Sequence, residues 1–408
     1  MVIVSGLRIA ASLPPQPTYL PDSRDYLATP QLLGIKPPLT PFIYLLLARN
    51  YGLIAFAQAA FGALAWGVLA LTCRRIVGGA GGWFTFAAIL FLSVSAQVAT
   101  WDAVLLSESF SLSLMVLLIA AGLLLAERWE TRRFVTFLVI AACWMLSRDT
   151  NAYIVVLLGL GALVCIGLWL VPRRAVWFAV PLVIMGAFGV WSINAASRWT
   201  VPFFHVTTNR ILPDPEAKRY FVAHGMPVTR ALHASSRGDE AFRHDPGLAS
   251  FRRWADERGQ RTYAGYLADN PDWVLQKSFT QDAALVSPLV HVFNYQYRPP
   301  LGWASRHAVA QPRPWVLLTV LAILGFAGYL VQRRSRRVVG GMQVALVIIA
   351  LYPFSVVLTW VGDTFEIERH QFPATIAMTI AGALLVGGLL TAWTESRVRD
   401  LAVPKVTE

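Results

Sequence analysis

The feature that most constrains this chain is a series of apolar runs, nine of them, at residues 53–72, 83–99, 107–126, 134–146, 152–171, 176–195, 315–331, 342–361 and 372–393. A bilayer core asks for about 20 apolar residues per helix. In lipid every backbone polar group must be satisfied within the segment, so such runs fold as helices. Composition agrees: 56% of the 408 residues are hydrophobic and 14% are charged, where a soluble domain carries about 25% charged residues. The expected fold is an all-α polytopic membrane protein with about nine transmembrane helices and a small external helical domain. A cytosolic enzyme, a secreted disulfide scaffold and a disordered regulator are excluded. Cys73, Cys143 and Cys165 lie within or at the end of apolar runs, so no disulfide framework or zinc site is readable.

Arginine placement orients the runs. The connections at 73–75, 127–133, 172–174 and 332–337 and the tail from 395 are arginine-rich, and they alternate without a break with those at 100–106, 147–151, 197–314 and 362–371. Short Arg-rich loops stay cytoplasmic. The first set holds 14 basic against 5 acidic residues, and the rest of the chain 21 against 18. Thus +9 of the +12 net charge is an orientation signal, and nucleic acid is not an expected partner. Trp83, Trp101, Trp144, Trp169, Trp315 and Trp393 stand at run ends, as interfacial aromatic belts require.

The expected organisation is an external N-terminal loop with an interfacial helix (1–52), transmembrane helices (53–196), an external, periplasmic helical domain (197–314), C-terminal transmembrane helices (315–394) and a cytoplasmic tail (395–408). Residues 1–11 are apolar but too short to cross and lack the parts of a signal peptide. They read as the end of a further helix, a mis-set start and a genuinely outside N-terminus being the alternatives. Residues 39–48 are also too short to cross and suit a helix lying in or dipping into the interface. In 197–314, the patterns at 239–258 and 262–281 predict short amphipathic helices, with Asn270-Pro271 as a break.

Chemistry concentrates on the external side. All seven histidines, His205, His224, His233, His244, His291, His307 and His370, fall there. The short external loops carry Asp102, Glu108, Asp149, Asp363, Glu366 and Glu368 against only Arg148 and Arg369. Ionisable residues at a membrane edge are functional candidates.

The first external loop reads Pro21-Asp22-Ser23-Arg24-Asp25-Tyr26, then Ile35-Lys36-Pro37-Pro38-Leu39. It resembles the GT-C superfamily of membrane glycosyltransferases that use polyprenyl-phosphate sugars, in the branch of the protein mannosyltransferases and the lipid A aminoarabinose transferase. There an acidic residue is followed by Tyr and then by a Lys-Pro-Pro-Leu-like segment. Leu106-Ser107-Glu108, Arg148 and Glu368-Arg369-His370 resemble further elements of that family. Two positions depart from the aminoarabinose transferases: Asp25 replaces the Arg before the Tyr, and Ile35 replaces the acid before Lys-Pro-Pro. The latter puts their metal arrangement in doubt. The resemblance implies an inverting transfer from a polyprenyl-phosphate sugar, with the base at Asp22.

The residues give a coherent chemistry of their own. A sugar on a lipid phosphate already has a good leaving group, so no acid is needed as in ordinary glycoside hydrolysis. One base must take the acceptor hydroxyl's proton, and cations must stabilise the departing phosphate. Asp22 is the expected base. Lys36, Arg148 and Arg369 are the expected phosphate cations, with Arg24 and His370 as second choices. Asp102 or Glu108 could orient the acceptor or hold a divalent ion, although oxygen ligands alone identify no metal. Structural roles compete throughout: Asp22 as a turn former, Glu108 near a helix dipole with Ser107 as cap, and Arg148 and Arg369 as snorkelling side chains.

The expected activity is glycosyl transfer to an envelope glycan, lipid or protein hydroxyl on the outer face of the plasma (inner) membrane. A lipid-sugar flippase or a non-catalytic envelope-assembly subunit is the alternative. The expected partners are the bilayer, a lipid-linked sugar and an envelope acceptor.

Overall fold

A computed structural model describes residues 6, 8–10, 17–20, 22–168, 175–234, 242, 244–280, 319–320, 323–325, 327, 339–362, 364 and 367–402. The regular structure among the described residues is helical, with one isolated parallel bridge between Thr18 and Val104. In chain order the helices are α1 (Ser23–Tyr26), α2 (Leu39–Leu46), α3 (Tyr51–Val77), α4 (Gly79–Ser93), α5 (Ala96–Ala99), α6 (Glu108–Glu127), α7 (Thr131–Met145), α8 (Asp149–Gly167) and α9 (Val176–Ala195). The order continues with α10 (Thr200–Val206), α11 (Pro215–Ala223), α12 (Arg230–Ala234), α13 (Ala249–Trp254), α14 (Gln260–Asp269), α15 (Pro271–Thr280), α16 (Val339–Gly362) and α17 (Ile367–Ala402).

Among the described residues, six helices are long and apolar enough to cross a membrane: α3, α6, α8, α9, Gly340–Gly362 within α16 and Arg369–Arg397 within α17. A seventh crossing is possible where α4 continues into Ala96–Ala103 with a 51° bend. The protein is therefore a multi-pass helical membrane protein. Nine crossings were expected, and the difference has two sources. The run at 134–146 forms α7, whose 15 residues extend about 22 Å at about 1.5 Å per residue, short of a bilayer core. The run at 315–331 lies largely outside the described residues. The last helix also continues to Ala402, past the end expected at 393. Trp83 and Trp393 are exposed, as belt residues should be, but Trp101 and Trp144 are buried. Trp101 instead packs on Phe372.

The chain divides into two compact units, 1–190 with 288–353 and 372–408, and 191–287 with 354–371. In the first unit α3 packs against α4 and α6, and α6 against α7. Small residues on α3 (Ala55, Ala59, Gly62, Ala63, Ala70) are buried, which lets helix backbones approach closely, as in membrane helix pairs generally. α4 also approaches α17 closely: a Cβ on Gly81 would collide with the Gly387 carbonyl oxygen. Beside it the Thr391 hydroxyl donates to the Gly78 carbonyl over 2.8 Å.

The second unit has its own aromatic core of Phe203, Phe204, Phe221, Phe251, Trp254 and Tyr266. α13, a π-helical turn at Ala255–Gly259, and α14 form one amphipathic stretch, then Asn270 ends α14 and Pro271 opens α15. The break expected at Asn270-Pro271 is thus present, while of the stretch expected at 239–258 the continuous described helix begins at Ala249. The second unit also takes in 354–371, which the apolar patterning had assigned to the membrane region and the loop after it.

Candidate functional site

Asp22 opens a single helical turn. The Ser23 hydroxyl is buried and accepts from the Leu20 amide at 2.9 Å, and the Asp25 amide donates to the Asp22 carbonyl at 3.1 Å. This fixes Asp22, Asp25 and Tyr26 on one tight turn. Lys36 returns to it: its Nζ lies 3.2 Å from Asp22 Oδ2, 4.0 Å from Asp25 Oδ2 and 5.3 Å from the centre of the Tyr26 ring. Burial by itself lowers the Lys36 pKa, but Tyr26, Asp22 and Asp25 outweigh it and hold the ammonium above its ordinary range. Lys36 is therefore a cation at any physiological pH. The Leu39 amide donates to the Leu146 carbonyl at 3.2 Å, which ties the Lys-Pro-Pro-Leu segment to the end of α7.

Tyr26 extends the site downward. It is buried, and its hydroxyl lies 3.0 Å from the Ser107 hydroxyl. Ser107 makes no cap to α6 and spends its side chain on Tyr26. The next residue, Glu108, faces Arg148 across 3.6 Å, and both are buried. Asn151 donates to the Ser111 hydroxyl at 3.0 Å, the Trp144 carbonyl at 2.8 Å and the Ser147 hydroxyl at 3.2 Å. These bonds fix the loop that carries Arg148 against α6.

Asp102 is engaged entirely by groups of the protein. It is fully buried and held by Arg8, Nε to Oδ2 at 2.9 Å and Nη2 to Oδ1 at 3.1 Å, while the Ser109 hydroxyl donates to Oδ1 at 2.7 Å. Both oxygens are engaged by protein donors, so Asp102 serves as an internal brace. Glu108 is likewise turned to Arg148. No group of three His, Cys, Asp or Glu side chains suited to a metal gathers among the described residues. Asp102 and Glu108, the expected metal or acceptor candidates, are each paired with an arginine.

The structure thus brings together Asp22, Lys36, Glu108 and Arg148, with Asp102 bracing the segment before Glu108. Arg24 stands exposed on the Asp22 turn. Arg369 is buried and His370 half-buried, and both belong to the second unit. His291, His307, Asp363 and Glu366 lie outside the described residues. Sequence reasoning did not select Arg8, Tyr44, Gln58 or Ser109. Gln58 donates to the Asp102 and Val104 carbonyls at 2.8 and 3.0 Å, and the Tyr44 hydroxyl lies 2.9 Å from both Gln58 Oε1 and the Leu106 carbonyl. Their signal was available: Arg8 is the one charge in the apolar start, and Gln58 is a lone amide in an apolar run.

Comparison with known protein families, curated proteins and solved structures finds no match to this chain, and the resemblance to the GT-C superfamily rests on the residues quoted for it.

Proposed function

We propose that this protein is a membrane glycosyltransferase that moves a sugar from a polyprenyl-phosphate carrier to a hydroxyl of an envelope glycan, lipid or protein by inverting displacement. The observation that carries the reading is the pairing of Asp22 with Lys36, 3.2 Å apart, on a turn joined through Tyr26 and Ser107 to the buried Glu108–Arg148 pair. A base and a cation side by side suit a reaction in which a proton leaves as a phosphate departs.

In this mechanism the acceptor O–H proton passes to Asp22 as the acceptor oxygen bonds to the sugar's anomeric carbon. The bond from that carbon to the phosphate oxygen breaks, and polyprenyl phosphate leaves with the electron pair. Lys36 takes up charge on the phosphate, with Arg148 as a second cation. General base catalysis of this kind contributes about 10²- to 10⁴-fold. No general acid is required, because the leaving group is a phosphate.

The active face is proposed to lie on the side opposite the arginine-rich loops, with the chain in the plasma (inner) membrane. The test is a panel of labelled polyprenyl-phosphate sugars given to membranes containing the protein, asking which label moves and onto what. Covalent transfer from one donor supports the reading. Substrate-dependent transport in proteoliposomes without a covalent product would replace it with a flippase.

A further inference from the structure

The helix α2, Leu39–Leu46, is inside out by the standards of a water-soluble protein. Its polar side chains, Thr40 and Tyr44, are both fully buried. Its exposed residues include Phe42, Leu45 and Leu46, at 49%, 43% and 68% exposure. At i, i+3 and i+4 these three share one face, opposite the buried Thr40, Pro41 and Tyr44. A helix with its polar groups turned inward and leucine outward is matched to an apolar solvent. The turn that leads to it repeats the pattern, with Leu33 and Ile35 47% and 56% exposed just before Lys36.

Three further observations say what covers this face. The first is tether length. Only residues 47–50 separate α2 from α3, a span with Leu53, Phe56 and Leu64 exposed along it. Four residues reach about 14 Å at most, so α2 cannot leave the membrane boundary at which α3 begins. The second is chain reversal at that boundary. Ala48 and Arg49 both adopt positive φ, 53° and 54°, and the Arg49 amide donates to the Tyr44 carbonyl at 2.9 Å. This closed turn leaves Arg49 and Asn50 exposed between two apolar elements, a position that suits the phosphate layer. The third is Tyr19, which lies against Tyr51 at the start of α3, ring centres 6.2 Å apart, with both half-exposed. Paired tyrosines there belong to an interfacial belt.

We infer that α2 is seated in one leaflet of the bilayer, Phe42, Leu45 and Leu46 among the acyl chains, and that it holds the neighbouring Lys36–Asp22 pair at headgroup level. The occupant of this face is bilayer lipid. The inference does not depend on which group the site transfers, and its test uses no activity measurement.

The test uses the full chain in phosphatidylcholine nanodiscs, with Cys143 and Cys165 replaced by Ala and the buried Cys73 kept. A bimane label is placed in turn at Leu46→Cys and Phe42→Cys. Leu64→Cys in α3 serves as the lipid reference and Arg219→Cys on the polar helix α11 as the water reference. Both α2 labels should be quenched by brominated phosphatidylcholine within about twofold of the Leu64 label, and by iodide about fivefold less than the Arg219 label. Iodide quenching equal to that at Arg219 would overturn the inference. So would protection from both quenchers, which would mean that a protein surface or a second copy of the chain covers α2.

Discussion

Arg8 closes a two-pronged ion pair on Asp102, with both side chains buried. Its Nη1 donates to the Ser93 carbonyl at 3.1 Å, so one residue ties the N-terminal segment to the end of α4 and to the stretch leading into α6. The guanidinium passes over Gly62 so closely that a Cβ there would collide with Nη2. Removing one partner leaves a buried charge uncompensated, at a cost of about 3–5 kcal/mol. Asp102→Leu should therefore lower the thermal unfolding midpoint sharply, Arg8→Met with Asp102→Leu should recover much of the loss, and Gly62→Ala should resemble the single variant. Equal midpoints for Asp102→Leu and the double variant would show that the pair is not coupled.

Lys36 gives a prediction about pH. Burial alone would lower its pKa, and the acids and tyrosine around it reverse that. A group whose folded pKa is raised contributes stability that is complete below its unfolded value, near 10.5, and lost as pH rises through the higher folded value. Transfer activity should thus show no loss from this residue until pH is above that range. Lys36→Met should reduce kcat/KM about 10²-fold, with Lys36→Arg retaining part of it. A pH–rate profile of the native protein with a descending limb between pH 7 and 9, absent from Lys36→Arg, would contradict the assignment.

Asp214 tests the second unit. It caps α11, its Oδ1 accepting from the Glu216 and Ala217 amides at 3.0 and 3.2 Å and its Oδ2 from the Trp273 indole at 3.2 Å. Burial raises its pKa, but these donors outweigh burial and hold the carboxyl below its usual range. The resulting stabilisation is full above the unfolded value, 3.8, and lost as pH falls through the lower folded value. Asp214→Ala should cost about 1 kcal/mol at neutral pH. Hydrogen exchange of the first turn of α11 reads this, and unchanged protection would remove the cap from the account.

Phe203 is the centre of the second unit's core, contacting Phe221, Phe251, Trp254 and Tyr263 with ring centres 5.5–6.4 Å apart. Phe203→Ala should cost about 3–5 kcal/mol. Near-ultraviolet circular dichroism should report the loss of aromatic packing, whereas Val222→Ala, at an exposed position, should leave the spectrum as it is.

Much of this architecture was legible in the sequence because membrane helices announce themselves by length and apolarity, and 53–72, 107–126 and 176–195 fall within or almost within observed helices. The short run at 134–146 forms the 15-residue α7, too short for length and apolarity alone to mark it as a crossing, although Glu127–Arg133 and Glu108–Arg148 pair its two ends with those of α6. In the site, Asp22 and Lys36 were legible as separate parts of a motif, whereas their 3.2 Å pairing comes from the way the chain between them folds. The Arg8–Asp102 brace was not, because its partners are 94 residues apart and nothing local to either signals the other. Ser107 as a helix cap was one of the competing structural roles, and tertiary packing of Tyr26 takes up its hydroxyl instead.

The most direct test of the central claim is the Asp22→Asn variant, assayed in membranes supplied with the polyprenyl-phosphate sugar that the native protein uses. Asn keeps the shape of the side chain and removes its basicity, so expression and membrane insertion should be unchanged. The account predicts that transfer of the labelled sugar falls by about 10²-fold or more. Transfer at the native rate by Asp22→Asn, at equal protein level, would contradict it.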